Sequence, residues 1–347
     1  MKRSIFVLFL TVCIGIGAGL VSAAQAKVVD LPGLLRPLTV TADKSQIYIT
    51  EEAAIYIYSL TNFRLIKKFG RKGEGPEEFK TIPNLPVVVN VRTNDLIVNS
   101  IGKVSYFTKE GTFKKEIKTP GGFNVVFIPI GEKFVGTGLL QENKTNYLTL
   151  NLYDANLKKI NEIYRTLYQQ QPGQTGIQVS EKSFDCDVYD NKIFISGAKE
   201  FVIDVLDSEG KPLYSIKQEY ELIKFTGEMK NMVLNHLKTD PDTKPYFEMI
   251  KWRLKFPDTL PAIFNLFVSN QNVYAITNKT GENEKPGEKK REVYIFEVKG
   301  KFLKKVFLPI YESGIEPFPF CIENKKLYQL VERESDEVWE LHITDIE

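Results

Sequence analysis

Asp185 and Asp187 flank Cys186 in the run Phe184 to Val188 and are the side chains placed most suggestively for chemistry. Residues two apart on an extended strand share one side, so both carboxylates can face a common cavity. There they would hold a cation or act as an acid and a base, or remain solvated wall groups. The histidines, His236 and His342, fall in different types of segment and supply neither the ligand set of a zinc site nor a carboxylate-oriented base. No metal and no cofactor is implied. Asp207-Ser208-Glu209-Gly210 opens like a calcium loop but lacks the alternating acids and distal Glu, and reads as a hairpin turn. Two sets of residues suit ligand binding instead: Arg71 and Lys72, and Lys251, Trp252 and Arg253. Cationic and aromatic groups together fit a peptide or glycan surface. The run Lys285 to Arg291 is interspersed with Gly and Glu and reads as a solvated hairpin tip.

These residues must be held by β-structure. From Leu38 to Ile346, short runs rich in Ile, Val, Tyr and Phe alternate with turns rich in Asn, Asp, Gly and Lys. The runs also repeat at a longer period: third strands of successive units are predicted to start near 54, 104, 147, 201, 293 and 338. All but one interval lie near the 40–50 residues of a four-stranded propeller blade. The expected fold is therefore all-β, a six-bladed β-propeller over residues 27–347. The last unit lacks a fourth strand, and the apolar segment from Lys27 to Leu31 has no unit of its own. Pairing the two would close the ring and remove an open edge.

The long interval contains a predicted helical insertion at 221–258, between blades 4 and 5. Thr226 is a candidate N-cap, and Met229, Met232, Val233, His236 and Leu237 share one helical face. Asp240-Pro241 ends that helix, and a second is predicted from Lys244 to Leu254 before Phe256-Pro257, the pair packing on the propeller rim. Links from each outer strand to the next inner strand emerge on one face of a propeller, so the two basic and aromatic sets are expected to share it.

The run Phe69-Gly70-Arg71-Lys72-Gly73-Glu74-Gly75-Pro76-Glu77-Glu78-Phe79, with Pro83 after it, resembles the inter-blade link of NHL repeats. Glycines allow the tight crossing, Pro76 stiffens it, and Phe79 can plug the junction between blades. With the insertion ending Phe256-Pro257-Asp258-Thr259-Leu260-Pro261-Ala262, the chain looks like exported bacterial six-bladed propellers that have no established biochemical role. The resemblance implies a fold and leaves function open. NHL-like lyases carry channel histidines that this chain lacks.

Residues 1–26 read as a signal peptide: Lys2 and Arg3, then an apolar stretch from Ile5 to Val21, then Ala24-Gln25-Ala26. The chain holds 46 Lys and Arg against 44 Asp and Glu, and both basic residues of the leader are lost on cleavage, so the remainder is balanced. A balanced, exported chain is a poor nucleic-acid partner. Cys186 and Cys321 are too few for a disulfide framework and are expected to be free. The sequence thus points to a secreted or periplasmic, non-enzymatic binding or scaffold propeller for a protein, peptide or glycan. The alternative is a propeller lyase or hydrolase with an acidic site at the channel mouth. The mature chain is expected to have no membrane span.

Overall fold

The computed structural model describes residues 27–82, 86–119, 126–168, 176–179, 183–197, 199–281, 287–333 and 335–346. The predicted signal peptide and Pro83 lie outside them. Six antiparallel sheets built on four strands follow one another along the chain, giving the six-bladed propeller expected from the repeat. Blade 1 has the strands Thr39–Ala42, Gln46–Glu51, Ala54–Ser59 and Leu65–Phe69, numbered here from the inside outward. Blades 2 to 5 repeat that order, starting from the inner strands Val88–Val91, Phe127–Ile130, Phe184–Tyr189 and Asn265–Ser269.

Blade 6 is assembled from both ends of the chain. Its inner three strands are Phe320–Glu323, Lys326–Arg333 and Val338–Asp345, and its outermost strand is Lys27–Asp30. The register runs from Lys27 opposite Ile343 to Asp30 opposite Glu340. The chain then turns inward, with Leu31 N–H donating to Trp339 C=O at 2.7 Å and the Trp339 indole donating to Leu35 C=O at 3.1 Å. Leu31 and Leu34 are buried between blades 6 and 1, so the closure rests on apolar burial as well as strand pairing.

The hydrophobic core is divided into six clusters, one at each blade junction. That arrangement explains the unbroken apolar runs. In Ile47-Tyr48-Ile49, both isoleucines join the core shared with blade 6, while Tyr48 points into the core shared with blade 2. A strand covered on both faces has no polar side to alternate with.

Antiparallel order places the hairpins joining strands 1 to 2 and 3 to 4 at one face of the ring. The 2-to-3 hairpins and the links between blades lie at the other. We call these the hairpin face and the linker face.

The insertion between blades 4 and 5 sits on the linker face. Lys224 and Thr259 bridge its two ends, and the Phe225 and Phe256 rings meet in a tilted pair with centroids 5.7 Å apart. A helix spans Gly227–Thr239, capped by the Thr226 hydroxyl, which accepts from Met229 N–H at 3.3 Å. The second predicted helix is instead a broken series of single turns, Lys244–Tyr246, Phe247–Ile250 and Lys251–Arg253. Of the apolar face expected to pack on the rim, Val233 is buried and Met229, His236, Leu237, Phe247, Ile250 and Leu254 are partly buried, while Met232 and Tyr246 are exposed. No helix among the described residues is long and apolar enough to cross a membrane.

Candidate functional site

Asp185 and Asp187 both lie on the inner strand of blade 4, yet neither is a free channel carboxylate. An innermost strand pairs on one side only, so the backbone groups on its other edge need partners. Asp185 Oδ2 accepts from Leu266 N–H at 2.9 Å, and Asp187 Oδ2 accepts from Val268 N–H at 2.7 Å. Leu266 and Val268 belong to the inner strand of blade 5. The second oxygen of each aspartate accepts from the next residue of its own strand, Cys186 at 3.0 Å and Val188 at 2.7 Å. Spacing two apart thus matches the spacing of unpaired donors on the neighbouring strand, and the pair laces blade 4 to blade 5.

The lacing continues around the channel. Gln271 N–H donates to the Tyr189 hydroxyl, and the Ser269 hydroxyl donates to Glu323 of blade 6 at 2.9 Å while accepting from Asn324 N–H. Between blades 2 and 3 the buried Asn99 amide does the same work, accepting from Phe127 N–H at 2.8 Å and donating to Phe127 C=O. Burial pushes the Asp187 carboxyl up to about 7, against the two N–H donors that favour its charge; Asp185 and Glu323 add repulsion. Burial likewise raises Glu323. Neither Asn99 nor Glu323 stood out in sequence, because a lone amide or carboxylate near a strand end has no spacing that marks it.

The link between blades 1 and 2 is built around Glu78. Its carboxylate folds back into the loop and accepts from Glu74 N–H at 3.1 Å and Gly75 N–H at 2.9 Å. A Cβ on Gly73 would lie 2.2 Å from Glu78 Oε2, which is why glycine stands there. The buried Lys103 ammonium donates to Gly75 C=O at 2.7 Å and pairs with Glu116 at 2.6 Å. Phe79 is fully buried against Phe107, with ring centroids 6.1 Å apart, and plugs the junction as expected. Arg71 pairs with Glu78 at 2.8 Å, although its side chain is 80% exposed, and Lys72 is exposed.

Lys251, Trp252 and Arg253 form the last turn of the insertion; Lys251 pairs with Glu248 at 2.6 Å, and Trp252 is 73% exposed. Both sets of basic and aromatic residues are therefore on links of the linker face. They follow blades 1 and 4 respectively, three blades apart in a six-bladed ring, so they stand on opposite sides of it.

The insertion is fastened well beyond its own blades. Leu254–Lys255 pairs in parallel with Ile177–Gln178 in the link between blades 3 and 4. His236 lies against Gly314, in the turn between the fourth strand of blade 5 and a short fifth strand, Glu316–Pro317, where a Cβ would come within 2.8 Å of the ring. Asp242 pairs at 2.7 Å with Arg36, between blades 6 and 1. His342, in the last strand, pairs instead with Glu340 at 2.8 Å.

The solvated hairpin expected over Lys285 to Arg291 is corrected in part. Lys285 and Pro286 lie outside the described residues, but Glu288–Glu297 is a strand in which Glu288, Arg291 and Glu292 are buried. Arg291 pairs with Glu312 and lies over the Phe264 ring at 4.4 Å. Glu288 accepts from the Tyr311 hydroxyl at 2.9 Å. Charge composition alone does not tell a solvated run from one whose partners arrive on the next strand. Asp207-Ser208-Glu209-Gly210 is a hairpin turn, with Asp207 Oδ1 accepting from Glu209 and Lys211 N–H and Gly210 at a φ of 78°. Neither Cys186 nor Cys321 is in a disulfide. Among the described residues, no group of three or more His, Cys, Asp or Glu is placed to hold a metal.

Together, fold and site define the class as a six-bladed β-propeller whose linker face carries an anchored insertion. A Bacteroides fragilis protein designated exported superposes with a TM-score of 0.53 at 11% identity, over 92% of this chain and 95% of its own. A Bacteroides vulgatus member of the DUF4221 family aligns at 13% identity over 93% and 96% of the two chains, with a TM-score of 0.49. No family model and no curated protein matches the chain.

Proposed function

We propose that this chain is an exported, non-enzymatic binding propeller that meets a protein or peptide partner on its linker face through the insertion. One observation carries the reading: Trp252, Met249 and Tyr246 are 73%, 65% and 57% exposed on a segment held by strand pairing to the link between blades 3 and 4 and by an ion pair to Arg36. Large apolar side chains held in place and left uncovered are the usual anchors of protein interfaces. Lys251 and Arg253 add charge beside them, while Arg71 and Lys72 would serve a partner wide enough to span the ring. Export rests on the leader at 1–26, and mature residues 27–347 form the binding unit. The alternative lyase or hydrolase reading draws on Asp187, whose carboxyl titrates near neutrality. Both of its oxygens already serve backbone donors, which disfavours a catalytic role.

The test is quantitative capture from the native envelope fraction with the mature chain as bait. Trp252→Ala combined with Tyr246→Ala should lower recovery of the specific partner by about tenfold or more, as loss of two interface anchors does. Equal recovery by a folded double variant overturns the surface assignment.

A further inference from the structure

The opposite, hairpin face carries a separate feature. A cavity of about 630 Å³ opens there at the mouth of the channel, walled by the turns between the inner and second strands of blades 1 to 4, with Glu323 of blade 6. Its charged groups are Asp43, Lys44, Arg92, Lys109, Asp190 and Glu323. By formal count they balance, but their pairing does not.

Each acid is already engaged. Asp43 pairs with Lys109 at 2.6 Å and accepts from Ser45 and Gln46 N–H. Asp190 pairs with Lys192 at 3.4 Å. Glu323 accepts from the Ser269 hydroxyl, and its burial favours the neutral acid. Of the three cations only Lys109 is matched; neither Lys44 nor Arg92 forms an ion pair among the described residues. Arg92 is held in place all the same, because its guanidinium donates to Gly131 C=O of blade 3. That bond orients the fork without neutralising it and leaves donors over for a ligand. A guanidinium so positioned, with an ammonium on the neighbouring blade, matches carboxylate or phosphate groups.

We propose that the hairpin-face mouth of the channel binds a small organic polyanion, a molecule bearing two or more carboxylate or phosphate groups, through Arg92 and Lys44. The volume admits a compact molecule, and the acids that would repel it are paired with cations or hydroxyls. The site is independent of the protein partner proposed for the linker face.

Isothermal titration of the mature chain with citrate and with fructose 1,6-bisphosphate, which carries two phosphate groups, tests the proposal and separates the two chemistries. At least one probe should bind, and binding should weaken as sodium chloride rises from about 0.01 M to about 1 M, where screening shortens from about 30 Å to about 3 Å. Arg92→Gln should weaken it about tenfold or more, the usual consequence of losing a charge-assisted hydrogen bond. Because Arg92 also bridges blades 2 and 3, Lys44→Gln provides a second variant, at an exposed residue that forms no ion pair among the described residues. Trp252→Ala, on the other face, should bind as the unaltered chain does. No binding of either probe up to about 10 mM, an affinity too weak to be specific, overturns the proposal. So does binding that Lys44→Gln and a folded Arg92→Gln leave unchanged.

Discussion

Asp187 of blade 4 holds the backbone N–H of Val268 in blade 5 at 2.7 Å, across a blade junction and 81 residues along the chain. The contact makes a carboxylate part of the wall that keeps two inner strands together, and it gives that wall a dependence on pH.

The Asp187 carboxyl lies near 7 in the fold against an ordinary value of 3.8. Between those values the folded protein binds more protons than the unfolded chain, so stability falls as pH rises from about 4 to about 7 and then levels off. Asp187→Asn mimics the protonated acid and removes this slope. The stability difference between wild type and Asp187→Asn, read from urea midpoints, should move against wild type by roughly 2 kcal/mol across that window, allowing for partial solvent access. A difference that stays constant with pH would show that Asp187 does not titrate there.

Ring closure makes a contrast between near neighbours. Leu31 is 1% exposed at the seam between blades 6 and 1, whereas Val28 in the closing strand is 47% exposed. Leu31→Ala should cost about 2–5 kcal/mol through the cavity it leaves. Val28→Ala should stay within about 0.5 kcal/mol, as surface changes do. Thermal or urea unfolding of the two variants checks the pair, and equal losses would refute the seam as described.

Gly70 has a φ of 86°, and a Cβ there would meet Ala53 C=O at 2.5 Å and the Phe79 ring at 2.7 Å. Backbone strain and overlap act together, so Gly70→Ala should destabilise by about 2–4 kcal/mol. Since the overlap falls on Phe79, near-ultraviolet circular dichroism should register a change in aromatic packing. A neutral substitution would mean that the link is not built as the glycine requires.

Arg291 and Glu312 form a buried ion pair, with side chains 8% and 4% exposed. Removing the guanidinium leaves an acid that Lys289 alone must neutralise. Arg291→Met should cost about 3–5 kcal/mol, and adding Glu312→Gln should restore a substantial part of it. A double variant no more stable than Arg291→Met would argue against the pairing, and a denaturation cycle on the four proteins decides it.

How much was legible from residues alone follows the range of the interactions involved. The apolar runs and their period reveal strand, blade number and the closing segment, because alternation and repeat spacing are local properties. The Thr226 cap and the Asp207 turn are legible for the same reason: both bond to backbone within four residues. The helical spacing from Lys244 is legible too, and the segment forms as three consecutive turns over 244–253.

What the amino-acid order determines here is the set of blades, their sequence around the ring and the sites of turns. Only the closed ring decides what the polar residues do. Asp185 and Asp187 look like a chemical pair until blade 5 places two unpaired N–H groups beside them. Arg291 looks solvated until the next strand brings Glu312 to it, and Arg92 and Lys44 stand out only once every acid around the channel mouth has found its partner. A charge acquires its role from where it is desolvated and what it meets there, and in a propeller both come from residues tens to hundreds of positions away.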